Sequence, residues 1–141
     1  MLVAVIAFGG VVIFSRRPAP PGALDAKLAE LQQAVSQPGA KPEVWLTYAQ
    51  TLQAAKQLSR AVVAYEHFLE SDPYARSARM NCAACLAELG DAETFGTFMD
   101  ETIDVLPKAA VEIFNRPESA VYLTDARFQD RKQRALAGAM D

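Results

Sequence analysis

Two cysteines three positions apart, in Cys82-Ala83-Ala84-Cys85, form the one motif in this chain whose residue types and spacing could carry chemistry. Such a pair serves as a redox couple or as half of a zinc site. A c-type haem attachment would need histidine next, and Leu86 stands there. A zinc site would need its other ligands from elsewhere, because there is no second cysteine pair. On a helix, two cysteines at this spacing are poorly placed for an unstrained disulfide. The alternative is that both are small buried hydrophobes of a helix core. The single histidine, His67, lies between Glu66 and Phe68, with no nucleophile, acid pair or second histidine near it in sequence. The chain has no glycine-rich phosphate loop, no G-x-S-x-G and no H-E-x-x-H. The expectation is therefore no catalytic residue, no cofactor, no metal site and no small-molecule substrate. Fourteen basic against 17 acidic residues leave a formal charge of -3, so no excess of positive charge argues for nucleic acid as a partner.

The elements around these residues begin with an uncharged run, residues 1–14. As a helix it would be about 21 Å long at roughly 1.5 Å per residue, short against a hydrocarbon core of about 30 Å. Arg16 and Arg17 extend it if their side chains reach back to the headgroups. The expectation is a single transmembrane helix over residues 1–17, with Leu2, Val5, Ile6, Phe8, Val12, Ile13 and Phe14 facing lipid and Arg16 and Arg17 at its end. The competing readings are a cleaved signal peptide, which lacks its basic n-region here, and a buried core segment. Arg16 and Arg17 place the following domain on the cytoplasmic side by the positive-inside rule. Residues 18–22 form a proline-rich spacer that cannot continue a helix.

From residue 23 onward the pattern is helical, with no strand period. Leu24, Leu28, Leu31 and Val35 make one apolar stripe, closed by Pro38-Gly39. Further helices are expected over about 42–57, 59–70, 76–89 and 92–106, then a short one at 109–114 and a longer one over 117–137. Pro73 and Pro107 each end an apolar helix. A shift of 34 carries the first proline onto the second. The same shift aligns Tyr48 with Cys82, Ala49 with Ala83, Leu52 with Leu86, Tyr65 with Met99 and Leu69 with Ile103. A helix–turn–helix unit of this length cannot bury its apolar face alone, so neighbouring units must stack.

Here the chain resembles the tetratricopeptide repeat (TPR) family. Trp45, Tyr48, Ala49, Leu52, Ala61, Tyr65 and Pro73 stand at the spacing of W-x2-L-G-x2-Y…A-x3-F…P. The second copy keeps Ala83, Leu86, Gly90 and Pro107, but has Arg79 in place of the tryptophan and Phe95 in place of a small alanine, with Gly96 expected to leave room for the ring. The resemblance implies an all-α array of about two full repeats over 23–107, opened by a half unit and closed by capping helices over 108–141. An anchor, a proline spacer and a TPR domain together are similar to bacterial membrane-anchored TPR proteins, including the TPR part of cytochrome c biogenesis factors of the CcmI/CycH type. That similarity rests on Leu28-Ala29-Glu30-Leu31, Glu43-Val44-Trp45-Leu46 and Ala64-Tyr65-Glu66.

The implied role is a scaffold at the bacterial inner membrane, an accessory or assembly subunit that binds a protein partner. The implied concave face carries Leu46, Gln50, Gln53 and Ala54 from one unit and Met80, Ala84, Ala87 and Glu88 from the next. It is small, apolar and amide-rich, suited to a helical or extended apolar segment. The alternatives are an array that packs against a larger membrane complex with this face unused, and a thiol-redox or metal-binding protein using Cys82 and Cys85. The last helix carries Arg127, Arg131, Lys132 and Arg134, but Glu118, Asp125 and Asp130 interleave with them, so a solvated cap is expected rather than a headgroup contact.

Overall fold

The computed structural model describes residues 22–141. The expected anchor residues Leu2, Val5, Ile6, Phe8, Val12, Ile13, Phe14, Arg16 and Arg17, and most of the spacer, lie outside the described residues. Among the described residues there are seven α-helices, two 3-10 turns and no strand. None of these helices is long and apolar enough to cross a membrane.

Helix α1 (Ala23–Val35) starts after Gly22, whose φ of 83° only glycine adopts without strain. Leu28 and Leu31 are buried, whereas Leu24, expected on the same stripe, is 41% exposed. Pro42 opens α2 (Pro42–Ala54) at the first helical position. This helix stops short of the expected residue 57, because Lys56 turns left-handed with φ 60°. The Gln57 amide then donates to the Leu52 carbonyl at 2.9 Å and the Lys56 amide to that of Gln53 at 3.0 Å, a Schellman ending. Helix α3 (Leu58–Ser71) closes the pair.

Helices α4 (Arg76–Leu89) and α5 (Ala92–Val105) repeat this hairpin. Gly90, with φ 81°, is the equivalent of Lys56 in the next unit and ends α4 as Lys56 ends α2. The α3 cap Asp72 has φ -137° and ψ 83°, and its equivalent, the α5 cap Leu106, has φ -144° and ψ 68°. The repeat is thus one of backbone angles as well as of residue types.

The rest departs from the expected helix over 117–137. Helix α6 (Pro107–Phe114) gives way to the 3-10 turns Pro117–Ser119 and Tyr122–Thr124, and only then does α7 (Ala126–Ala139) begin. Asp125 is extended, at φ -93° and ψ 130°, and its carboxylate accepts the Arg127 amide at 2.8 Å, which fixes the start of α7 there. The Tyr122 hydroxyl, buried, donates to the Ala87 carbonyl at 2.8 Å and pins the turns to the end of α4.

Helix α7 lies one period beyond α5, yet it turns a different face inward. Its buried residues are Phe128 and Ala135, whereas Gln129 and Gln133, the equivalents of buried Phe95 and Met99, are exposed. The helices pack as pairs, α2 with α3, α4 with α5 and α6 with α7, and successive pairs meet through α3–α4, α5–α6, α4–α6 and α5–α7. One core runs continuously from Leu28 to Ala135.

Two residues that broke the repeat pattern are built into this core. Arg79 is 5% exposed. Its Nε donates to the Pro73 carbonyl at 2.7 Å, its Nη1 to the Thr102 hydroxyl at 3.1 Å, and its guanidinium lies 5.6 Å from the centre of the Phe98 ring. Burial pulls its pKa down, the direction expected of a desolvated cation. Phe95 is fully buried against Tyr122 and Phe128, with ring centres 4.5 and 5.7 Å away. The ring therefore looks toward the C-terminal turns. Gly96 does not make room for it: a Cβ there would stand 3.1 Å from the Arg131 guanidinium, so Gly96 admits that side chain instead.

Candidate functional site

The expected concave face is only partly a surface. Gln50 and Ala54 are exposed, and Glu88 is exposed and pairs with Lys56 at 3.7 Å. Leu46 and Ala84 are half-buried. Gln53 is half-buried and engaged, its Oε1 accepting the Tyr65 hydroxyl at 2.6 Å. Met80 and Ala87 are buried, at 8% and 7% exposure. The structure therefore takes Met80 and Ala87 of the set into the core and leaves the others at least partly accessible. What remains accessible is Leu46, Gln50, Gln53, Ala54, Ala84 and Glu88, a mixture of small, apolar, amide and acidic side chains.

Cys82 and Cys85 are both free thiols, 0% and 1% exposed. Burial pushes the Cys85 thiol up to about 11 and the Cys82 thiol higher still, with Glu88 adding to the first and Glu66 to the second. A thiol so held is protonated at neutral pH and is neither nucleophile nor ready metal ligand. Among the described residues no group of three or more histidine, cysteine or acidic side chains is placed to hold a metal ion. His67 stacks on Trp45, ring centres 4.2 Å apart, and lies within 4.0 Å of the Glu70 carboxylate.

An apolar hollow among the described residues lies apart from the expected concave-face residues. It opens between α2 and α3, holds roughly 320 Å³, and is lined by Trp45, Tyr48, Ser59, Arg60, Val63 and Ala64. Helical spacing positions the walls: Trp45 and Tyr48 are one turn apart on α2, and Ser59, Arg60, Val63 and Ala64 share a face of α3. Val63 is 54% exposed at the mouth, while Tyr48 and Ala64 are buried in the floor. Arg60 stands on the rim. Its guanidinium donates to Tyr48 Oη at 2.6 Å, to Gln32 Oε1 of α1 at 3.3 Å and to Gln57 Oε1, and lies 5.9 Å from the centre of the Tyr48 ring. Its partners are all neutral: among the described residues Arg60 has no carboxylate within ion-pair distance. The hollow thus combines aromatic and aliphatic walls with an uncompensated positive charge. Trp45 and Tyr48 carried the repeat motif in the sequence, but Arg60 and Val63 gave no signal by type or spacing.

A second hollow, of roughly 430 Å³, lies between α5 and α7 and is charged. Arg131 Nε and Nη2 donate to the two Asp100 oxygens at 3.0 and 2.9 Å, and Arg134 Nη1 reaches the first of them at 2.9 Å. The Arg131 hydrogen bonds, with help from Arg134, hold the Asp100 carboxyl below the usual carboxylate range. Arg127 pairs with Asp125, whose carboxyl is held down at about 2 by that side chain and by the Arg127 amide. Asp100 with Arg131 and Arg134 is thus a clasp between α5 and α7.

Comparison with protein-family models, with curated proteins and with solved structures gives no match to this chain.

Proposed function

We propose that this chain is a non-catalytic scaffold of the TPR kind, held at a bacterial inner membrane by a helix over residues 1–17, which binds a protein segment as an accessory or assembly subunit of a membrane complex. The observation that carries the reading is the shared backbone frame of its two helix pairs. Lys56 and Gly90 turn left-handed at equivalent positions, and Asp72 and Leu106, also equivalent, adopt matching cap angles. Stacked helical hairpins of this length hold rows of side chains on a fixed surface, and such surfaces serve recognition rather than chemistry. The membrane part of the reading rests on the uncharged residues 1–14 followed by Arg16 and Arg17.

Membrane fractionation with alkaline washing, followed by affinity capture of the full chain in mild detergent, tests both parts. The expected result is retention in the washed membrane and recovery of membrane proteins in fixed ratio. Release by the wash would refute the anchor. Recovery of the chain alone, as a clean monomer, would refute the scaffold.

A further inference from the structure

The second helix pair shows what the hollow in the first pair lacks. A shift of 34 carries Trp45 to Arg79, Tyr48 to Cys82 and Ala64 to Phe98. In the second pair this region is closed from within: Phe98 is 5% exposed, and the Arg79 guanidinium covers its ring at 5.6 Å. In the first pair the methyl group of Ala64 stands at the equivalent of the phenyl position, and the hollow remains open to solvent past Val63. The same frame therefore has an aromatic ring under a cation in one unit, and a hollow beside a cation, Arg60, in the other.

Deepening the scaffold reading, on which it rests, we infer that this hollow is the specificity site for the protein partner, and that it takes one aromatic side chain with an acidic residue beside it. The ring gains burial against Trp45, Tyr48 and Ala64, the kind of anchor that dominates small interfaces. The acidic neighbour gives Arg60 the carboxylate it lacks, through a charge-assisted hydrogen bond. Trp45, Tyr48 and Arg60 also attract an aromatic group by stacking and cation–π contact.

The chain has one tryptophan, Trp45, so its emission reports on this hollow directly. The probe is the blocked dipeptide acetyl-Asp-Phe-amide, titrated into the full chain in mild detergent. Saturable change in Trp45 emission is expected, with binding at least about tenfold tighter than for acetyl-Asp-Ala-amide and about threefold tighter than for acetyl-Lys-Phe-amide. Ala64→Phe, which supplies the ring of the second unit, should weaken binding at least about tenfold. Arg60→Gln should erase the preference for Asp over Lys and keep that for Phe over Ala. Should Ala64→Phe fail to fold, Val63→Arg at the exposed mouth blocks the same entrance.

Equal affinity for the Phe and Ala dipeptides would overturn the inference, as would binding that survives both Ala64→Phe and Val63→Arg. A dimer that Ala64→Phe converts to monomer would assign the hollow to a second copy and overturn it too. A tenfold gain in dipeptide affinity on deleting residues 1–21 would assign it to that segment, with the same consequence. Capture experiments separate this inference from the scaffold reading. A membrane partner recovered equally by wild type and by Ala64→Phe refutes the specificity site alone, and no partner recovered by wild type refutes the scaffold.

Discussion

Replacing Phe95 with alanine distinguishes the residue pattern of the repeat from the packing that replaced it. By the pattern, a small residue belongs there, as Ala61 stands at the equivalent position of the first unit, and the change should be harmless or favourable. By the structure, Phe95 is 0% exposed and holds together an aromatic trio with Tyr122 at 4.5 Å and Phe128 at 5.7 Å. Truncating a fully buried phenylalanine costs about 3–5 kcal/mol through lost transfer energy and the cavity left behind. Two lost ring pairs, at roughly 0.5–1.5 kcal/mol each, favour the upper half of that range. Against a total stability of about 5–15 kcal/mol, Phe95→Ala should remove about a quarter or more of it. The assay is urea unfolding of the full chain in mild detergent by circular dichroism, paired with hydrogen exchange. The trio joins α5 to the 3-10 turns and α7, so lost protection should concentrate after residue 107 and spare α2 and α3. A loss under about 1 kcal/mol, or protection lost first in α2 and α3, would refute the packing argument.

Asp100→Asn should cost about 1–2 kcal/mol, because it unclasps Arg131 and Arg134 at a half-exposed site where solvent screens part of the interaction. Asp100 and Asp125 have folded-state pKa values below the ordinary 3.8, so their contributions are present above that value and are lost as pH falls through the lower folded values. Hydrogen exchange across an acid series should therefore show α7 opening first below about pH 4; opening of α1 or α2 ahead of it would contradict the clasp. Cys82 and Cys85 should resist thiol reagents in the native chain and both react after denaturation. With Cys85 at about 11, only about a thousandth of it is thiolate at pH 8 even before access is considered, and rapid native labelling would refute this. Lys56→Gly should raise stability by about 1 kcal/mol, since it relieves a left-handed residue at the loss of one exposed ion pair. An unchanged or lower urea midpoint would show that Lys56 is not strained.

The period and the helices of the two central pairs were legible in the sequence because proline and glycine act locally. Pro42, Pro73 and Pro107 each fix a backbone angle and remove a donor wherever they stand, and Gly90 admits the left-handed turn that ends a helix. The Lys56 turn was not legible, because lysine carries no turn signal and the strain is imposed by the packing of α2 on α3. The break before α7 was missed for a related reason. Residues 117–137 carry only a broken apolar face, and the bond from Tyr122 to Ala87, the packing of Tyr122 on Phe95 and Phe128 and the Asp125 cap together set the 3-10 turns and the later start of α7. Met80 and Ala87 of the expected concave face are buried because α4 packs against α3, α5 and α6 together, which one helix's spacing does not encode. The α2–α3 hollow had no positive signal at all, because it is made by an absent side chain. Only comparing Ala64 with Phe98 across the shift of 34 exposes it.

That comparison also explains why the two pairs can divide the work. On a shared frame, differences between equivalent positions are differences in filling. The second pair is filled differently, with the larger Phe95 for Ala61 and Phe98 for Ala64, and the smaller Arg79 for Trp45 and Cys82 for Tyr48. The surplus volume of Phe95 goes outward, to Tyr122 and Phe128, and binds α7 and its preceding turns to the array. The first pair is filled short at Ala64, and the deficit becomes an opening beside Arg60. A fully regular array would have neither feature: with alanine at 95 the trio loses its central ring, and with phenylalanine at 64 the first pair closes as the second does. Stability and recognition should accordingly separate by unit, with Phe95 substitutions moving the urea midpoint while sparing dipeptide binding, and substitutions of the exposed Val63 at the mouth doing the reverse. A variant of either residue that moved both readouts together would show the two pairs to be one coupled unit, and the division of labour would fall.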